Sequence, residues 1–345
     1  MSSYRIAVNV EWTSHCNALC AMCPRERVPH PRRMTADTWA RILERMSPQD
    51  VFRAVIAGYG EPTTHNRFFE FVDRLRFHPV PFDMVTNGQQ LDEPRIRHLD
   101  GAIGTLLVSF SSIDPLVYGR VHVNLDQKRV KENLRLAQRL FRSTRLAVSL
   151  TPMPECLPSL PDTIAWLRAQ GIDRLTMSPT LYNRGGSLQG HELASARLRE
   201  AIRRHGLRSQ EVDFIAGLRD TLGQVRSNRF RCLPRNVDLL ISAEGNYLYC
   251  YNDVGHEHAI GHVSGMDIRT ALARREGMPA VPSLCDDCNV RRRYGARELA
   301  RAGAAYLCAR LAQGVRAGRM RRTREVEMPG SVAHGPPDWR RARPR

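Results

Sequence analysis

The chain has 345 residues, of which 42% are hydrophobic, and a formal net charge of +17 at pH 7. A hydrophobic share of this size supports a sizeable core and excludes a chain that is disordered throughout. No apolar segment is long enough to predict a membrane-spanning helix, and the first residues are too few and too polar to predict a secretion signal, so we expect a cytoplasmic protein.

The positive charge comes almost entirely from arginine and is concentrated at the carboxyl end. Lysine occurs only at Lys128 and Lys131, whereas residues 316–345 contain nine arginines. Clustered basic side chains gain affinity for nucleic acids by releasing phosphate counterions. A charge run at one end is more often a solvated tail, so we favour a basic tail over a nucleic-acid partner.

Six short apolar segments alternate with helical patterns over the first 180 residues. The helical patterns lie near residues 36–46, 65–77, 92–99, 126–141 and 161–169. Strands joined by helices predict parallel βα repeats, here an α/β fold with a partial (β/α)6 TIM-like barrel in residues 1–189. In such folds the chemistry lies on loops at the carboxyl ends of the strands. The predicted strands are Ile6–Val10, Phe52–Ala57, Pro81–Thr86, Thr105–Phe110, Arg145–Leu150 and Arg174–Ser178.

The remainder of the chain is predicted to form smaller parts. Residues 190–229 are polar and helical, and we interpret them as a connector. Within residues 230–293, Val237–Ser242 and Tyr247–Tyr251 flank a turn signal and predict a β-hairpin, which a short helix near residues 267–276 follows. Residues 294–345 begin as a basic helix and continue as a tail rich in proline, glycine and arginine, for which we expect disorder.

Nine cysteines are many for a chain without an export signal, and they indicate metal or iron–sulfur ligation rather than disulfides. Cys16, Cys20 and Cys23 follow the first predicted strand with the spacing C-x3-C-x2-C. Soft thiolates select iron–sulfur clusters or zinc, and a cubane cluster usually takes four cysteines. Three thiols with no fourth nearby would leave one iron open to bind a reactant. A zinc site completed by a nearby histidine is the alternative.

This segment resembles the signature of the radical S-adenosylmethionine (SAM) superfamily. Further motifs follow in the order that this resemblance implies: Gly58-Tyr59-Gly60-Glu61-Pro62 after the second strand, Thr86-Asn87-Gly88 after the third, and Ser109 in the fourth. The resemblance implies a SAM-binding 4Fe–4S cluster, with Glu61 facing the amino group of SAM and Met22 beside the adenine. The residues that it assigns to SAM are Met22, Gly58, Gly60, Glu61, Asn87 and Ser109.

Cys232, Cys250, Cys285 and Cys288 form a second set. This set resembles the opening of a SPASM domain, an accessory module of many radical SAM enzymes. Tyr294 stands where the full domain has its next cysteine, so the shortened Twitch form with one auxiliary 4Fe–4S cluster is the better match. Four thiolates could also close a zinc site.

The same arrangement resembles radical SAM dehydrogenases that act on aminocyclitols in antibiotic biosynthesis. The resemblance implies that a 5′-deoxyadenosyl radical takes hydrogen from a small polar substrate and that the auxiliary cluster accepts an electron, so that a secondary alcohol becomes a ketone. It also implies an external electron donor such as flavodoxin or ferredoxin. The stretch Tyr182–Gly186 resembles a segment beside the active site of those enzymes, which implies that Arg184 holds the SAM carboxylate or a substrate hydroxyl.

Three other functions stay open. Cys156, which follows the fifth strand, is either an inert loop cysteine or the hydrogen-atom donor of a sugar, aminoglycoside or peptide epimerase. A peptide-modifying SPASM enzyme would form a crosslink, and the few residues before the first strand argue against a leader-binding domain. A zinc-stabilised RNA-binding protein would explain the second cysteine set and the arginines, but neither the first cysteine set nor the strand-end motifs.

Overall fold

The computed structural model describes residues 4–24, 27–28, 31–181, 195–210, 217, 219–220, 232, 238–289 and 304. The chain divides into two compact units, residues 1–300 and 301–345, and every described residue except Ala304 lies in the first. Within the described ranges, no helix combines the length and the apolar character that a membrane span requires.

The strands of the described residues form one sheet, in the spatial order β10-β9-β8-β1-β2-β3-β4-β5-β6-β7. Neighbours from β1 to β7 run parallel, and β8 pairs in parallel with the free side of β1. Strand β9 lies between β8 and β10 and pairs antiparallel with both. The strands are β1 (Ile6–Val10), β2 (Val51–Ile56), β3 (Phe82–Thr86), β4 (Thr105–Ser109), β5 (Arg145–Leu150), β6 (Leu175–Met177), β7 (Arg208–Ser209), β8 (Asp238–Ile241), β9 (Asn246–Leu248) and β10 (Ala259–His262).

Helices follow most of the strands, and side chains cap several of their amino ends. Thr35 accepts a hydrogen bond from the backbone of Thr38 at the start of α1, and Asp126 accepts two at the start of α5. The helices are α1 (Ala36–Arg45), α2 (Phe68–Asp73), α3 (Glu93–Leu99), α4 (Pro115–Val121), α5 (Gln127–Leu140), α6 (Leu160–Ala169), α7 (Ser195–Arg204), α8 (Ile268–Gly277) and α9 (Pro282–Cys285).

The two faces of the sheet differ in character. Alternate strand residues such as Val8, Met84 and Val108 are fully buried in one hydrophobic core with the helices. The strand pairing places the intervening residues on the opposite face, which we call the inner face. It is partly polar and includes Asn9, Asp83, Thr105, Ser109, Ser149 and Thr176. The open parallel sheet with helices on one face confirms the predicted α/β partial barrel.

The hairpin predicted for residues 237–251 is present as β8 and β9, and Gly245 turns between them with a φ of +90°. Because β8 pairs with β1, the hairpin continues the barrel sheet. The sequence pattern does not predict α4, β7, β10 or α9, which are short. The predicted basic helix and tail of residues 294–345 lie outside the described residues apart from Ala304.

Candidate active site

The three cysteines of the first set lie on the loop that follows β1, and all three are half-buried. The loop folds tightly, because Cys23 donates its backbone N–H to the carbonyl of Cys20 over 2.9 Å. The backbone N–H of Ala18 lies 3.4 Å from the sulfur of Cys16. N–H groups directed at sulfur stabilise a thiolate, which is the form that binds iron.

The thiols of the first set lie close enough to influence one another. The pKa of Cys20 is raised to about 12, chiefly by burial and to a smaller extent by negative charge on Cys16 and Cys23. A cation is needed to hold three such thiolates together, and the iron of an iron–sulfur cluster suits soft sulfur ligands. Three soft thiol ligands on one loop therefore fit an iron–sulfur cluster.

The glycine loop after β2 packs directly against the cysteine loop. A Cβ atom on Gly60 would lie 2.0 Å from the carbonyl oxygen of Thr13 and 2.5 Å from that of His15. The next residue, Glu61, donates its backbone N–H to the same His15 carbonyl over 2.8 Å. A Cβ atom on Gly58 would lie 2.5 Å from the side chain of Glu11. These glycines are needed because the two loops touch.

Glu61 connects the ends of β2 and β3. Its carboxylate is 2% exposed and accepts hydrogen bonds from the hydroxyls of Thr63 and Thr86, at 2.6 and 2.7 Å. It also accepts from the backbone N–H of Asn87 at 2.7 Å. Burial raises the pKa of Glu61, while these bonds oppose that rise. The role predicted for Glu61 toward the amino group of SAM stays a prediction.

Asn87 links this region to the cysteine loop. Its side-chain amide donates to the side-chain oxygen of Asn17 over 2.7 Å and lies 4.0 Å from the sulfur of Cys16. Ser109, at the end of β4, is half-buried and pairs with Ser149 of β5 on the inner face. The residues assigned to SAM from the sequence therefore lie at the carboxyl ends of successive strands.

Met22 and Cys156 lie in one apolar cluster with Val117, Val121 and Met153. Cys156 is 1% exposed, and burial raises the pKa of its thiol to about 12. Negative charge on the neighbouring Glu155 adds to this effect. Cys156 is therefore a protonated thiol near physiological pH, held beside a residue of the cysteine loop.

His122 is a neighbour of the first cysteine set that no sequence motif indicates. Its Nδ1 atom lies 3.4 Å from the sulfur of Cys20. Burial lowers the pKa of His122 to about 4, so the ring is neutral near physiological pH. In the sequence, His122 stands between two valines, a pattern that predicts an ordinary core position. Only its tertiary contact with Cys20 distinguishes it from other core residues.

The four cysteines of the second set also influence one another. Burial raises the pKa of Cys250, and negative charges on Cys232, Cys288 and Cys285 raise it further. Asn252 contacts two of these residues: its backbone N–H and its side-chain amide lie 3.1 Å from the sulfurs of Cys250 and Cys288, respectively. The structure thus brings together the four cysteines that the sequence groups.

Two contacts attach this four-thiol site to the barrel loops. The hydroxyl of Tyr59, in the glycine loop after β2, donates a hydrogen bond to the carbonyl of Tyr251. The side-chain amide of Asn289, next to Cys288, donates to the carbonyl of Leu181 after β6 over 2.7 Å. The predicted residue Arg184 and the stretch Tyr182–Gly186 lie outside the described residues.

Comparison with known proteins agrees with this site. The family model of the radical SAM superfamily matches residues 10–167. A Pyrococcus furiosus protein described as a tungsten-containing aldehyde ferredoxin oxidoreductase cofactor-modifying protein is 23% identical over 50% of this chain and 51% of its own length. The PqqA peptide cyclase of Gluconobacter oxydans is 26% identical over 50% of this chain and 48% of its own length. The chain thus spans about half the length of these curated relatives.

Among solved structures, SuiB of Streptococcus suis bound to the precursor peptide SuiA superposes with a TM-score of 0.62 at 13% identity, covering 84% of this chain and 71% of SuiB. This likeness shows a common fold. A radical SAM domain uses a 4Fe–4S cluster and SAM, and the three thiols and strand-end loops described above fit both. The chain therefore contains a radical SAM superfamily domain over residues 10–167.

Proposed function

We propose that this chain is a radical SAM oxidoreductase that removes two electrons from a secondary alcohol of a small polar substrate, such as an aminocyclitol or sugar. With its cofactors bound, the domain supplies a 5′-deoxyadenosyl radical that takes a hydrogen atom from the alcohol carbon. To form a ketone, the substrate must then lose one electron and the hydroxyl proton. An auxiliary cluster held by Cys232, Cys250, Cys285 and Cys288 would supply the electron acceptor.

The attachment of the four-thiol site to the barrel loops carries this proposal. Tyr59 belongs to the loop assigned to SAM, and it contacts the residue that follows Cys250. Asn289, which follows Cys288, contacts the loop after β6. These contacts support an electron acceptor held next to the loops where the radical would form.

The inner face of the sheet supports a polar substrate. Ser149 and Thr176 lie side by side there, and the side-chain amide of Gln210 lies 2.7 and 3.0 Å from their hydroxyl oxygens. Ser109 is paired with Ser149 on the same face and is half-buried. A row of hydroxyl and amide groups can satisfy the hydroxyls of a sugar-like ligand, whereas an apolar wall could not. Met22 of the cysteine loop packs in an apolar cluster with Cys156, which would keep water away from that part of the loop.

Anaerobic turnover of purified protein tests the proposal. We expect about eight iron atoms per chain, as two cubane clusters require. We also expect a two-electron oxidised product, detected by mass spectrometry, from a panel of aminocyclitols, aminoglycosides and peptides. Cys285→Ala should still release 5′-deoxyadenosine but should form no oxidised product. Cys308→Ala, which changes a cysteine outside both sets, serves as the control variant. Full formation of the ketone by Cys285→Ala, with only the SAM-binding cluster left, would refute the electron-acceptor role.

Epimerisation is a second candidate, because Cys156 is a buried, protonated thiol next to the cysteine loop. A thiol that returns a hydrogen atom to a substrate radical gives an inverted carbon and a thiyl radical, which one electron from the external donor and one proton would restore to the thiol. In that case Cys156→Ala would divert the reaction toward oxidised product. An unchanged product ratio would remove Cys156 from the mechanism.

Peptide modification is a third candidate, supported by the relatives that act on peptides. The PqqA peptide cyclase and the peptide-bound SuiB share the domain or the fold of this chain. Crosslinked or oxidised peptide in the substrate panel, with no reaction of the aminocyclitols, would favour this candidate over the dehydrogenase.

A further inference from the structure

A short segment of the chain is bound along the cysteine loop and fixes His122 against it. The backbone N–H of Leu19 donates to the carbonyl of Val123 over 3.0 Å, and that of Ala21 donates to the carbonyl of Val121 over 2.9 Å. These two bonds lie on either side of His122 in the sequence and on either side of Cys20 in the loop. The ring and the sulfur are therefore held opposite each other by the backbone.

The contacts of the two nitrogen atoms of the imidazole ring indicate which of them carries the proton. His122 is 1% exposed, and its Nδ1 atom lies 3.4 Å from the sulfur of Cys20, within the range of an N–H···S hydrogen bond. The Nε2 atom is buried and has no hydrogen-bond partner among the described residues. The ring of Tyr118 lies against the imidazole, with 4.8 Å between the ring centroids.

The tautomer follows from these contacts. A thiolate that ligates iron accepts hydrogen bonds and has no proton to donate. A neutral imidazole carries one N–H, and a buried N–H without an acceptor costs more than a buried nitrogen lone pair does. The proton therefore belongs on Nδ1, where Cys20 accepts it.

We propose that His122 is a positioning residue that donates its Nδ1–H to the sulfur of Cys20 and thereby raises the reduction potential of the SAM-binding cluster. A hydrogen bond to a ligating sulfur stabilises the extra negative charge of the reduced cluster more than it stabilises the oxidised cluster. His122 thus controls how readily the external donor can reduce the cluster before SAM is cleaved. This inference concerns the SAM-binding cluster and holds for any of the candidate substrates.

A redox titration followed by electron paramagnetic resonance (EPR) tests the proposal on the full chain, using the cluster signal that changes when SAM is added. His122→Leu removes the donor and keeps an apolar side chain. At a fixed ambient potential near the midpoint, we expect its ratio of reduced to oxidised cluster to fall about tenfold, which for one electron is a shift of about 59 mV to more negative potential. His122→Asn retains an amide donor near the position of Nδ1 and should recover most of the shift.

The result against the proposal is a His122→Leu protein with full iron content and an unchanged midpoint potential. A shift that His122→Asn shares in full would also contradict it, because loss of packing would then explain both variants. If His122→Leu fails to bind iron, a measurement on the wild-type protein tests the hydrogen bond from His122 to Cys20 instead. With ¹⁵N-labelled histidine, pulsed EPR of the reduced cluster should show a nitrogen coupling that is lost in His122→Asn, and the absence of that coupling in the wild-type protein would overturn the proposal.

Discussion

The side-chain amide of Asn252 lies 3.1 Å from the sulfur of Cys288, and its backbone N–H lies at the same distance from the sulfur of Cys250. One residue thus bridges two of the four cysteines of the second set, which come from segments 38 positions apart (288 minus 250). The hydrogen bond between the Asn252 amide and the Cys288 sulfur is buried, so neither group can bind water in its place.

Changing Asn252 to Leu should weaken the auxiliary site and leave the SAM-binding site intact. The substitution removes the donor to Cys288, whereas the backbone donor to Cys250 remains. We expect the iron content to fall toward about four atoms per chain, or the potential of the auxiliary cluster to become more negative. Iron analysis and EPR measure both effects, and SAM cleavage without substrate is the control for the first site. Two fully loaded clusters with unaltered potentials would contradict this expectation.

Changing Gly60 to Ala should disrupt the cysteine loop. The atoms that a new Cβ would meet are backbone carbonyls at 2.0 and 2.5 Å, and backbone cannot move aside as a flexible side chain can. We expect a loss of stability of about 1–3 kcal/mol or more, with reduced iron incorporation. Gly119→Ala is the matched control, because no atom lies within 4 Å of its Cβ and an alanine in a helix gains about 0.5–1 kcal/mol. Equal iron content and melting temperature in both variants would show that the loops do not touch as described.

The buried carboxyl group of Asp238 predicts a pH-dependent stability. The pKa of Asp238 is raised from 3.8 to about 7, chiefly by burial, although the hydrogen bond from Asn9 and the charges of Arg275 and Arg53 oppose this rise. Because the folded pKa exceeds the unfolded one, the stability that this group contributes is fully present below pH 3.8 and is lost as the pH rises through 7. Asp238→Asn has no such titration.

Between pH 6 and pH 8, the stability of Asp238→Asn relative to the wild type should therefore increase by about 1–2 kcal/mol, since one pKa unit corresponds to about 1.4 kcal/mol. Urea unfolding of both proteins at several pH values, in the same cluster state, measures this difference. The change with pH is the informative quantity, because any constant cost of burying the new amide cancels. A difference that does not vary with pH would mean that Asp238 is ionised and solvated at pH 6.

The strands of the barrel could be predicted because their signals are local. Segments such as Ile6–Val10 and Arg145–Leu150 are short, apolar and bounded by turn or helix signals, and both occur as predicted. Helix α4 was not predicted, because Pro115–Val121 is only seven residues long. Its capping residue Asp114, which accepts two backbone N–H groups, was the signal that could have identified it. The strand β10 was missed because its pattern is too short to distinguish from a loop.

The candidate site could be predicted only where spacing carries the information. Cysteine spacing divides seven cysteines into two predicted ligand sets, because the ligands of one cluster must lie around the same point. Sequence cannot show that Glu61 bonds with Thr86 and Asn87, or that His122 contacts Cys20, since these pairs are brought together by strand pairing and loop packing. The pairing of β8 with β1 is equally non-local, and it joins the hairpin to the barrel sheet.

The most direct measurement of the central claim is electron–nuclear double resonance on the dithionite-reduced protein with SAM that is labelled with ¹⁵N in its amino group. We propose that Cys16, Cys20 and Cys23 hold a cluster with three thiols, which would leave one iron to bind the amino group of SAM. We expect a ¹⁵N coupling to the cluster that disappears in Cys20→Ala. A fully occupied cluster that shows no coupling at saturating SAM would contradict the account.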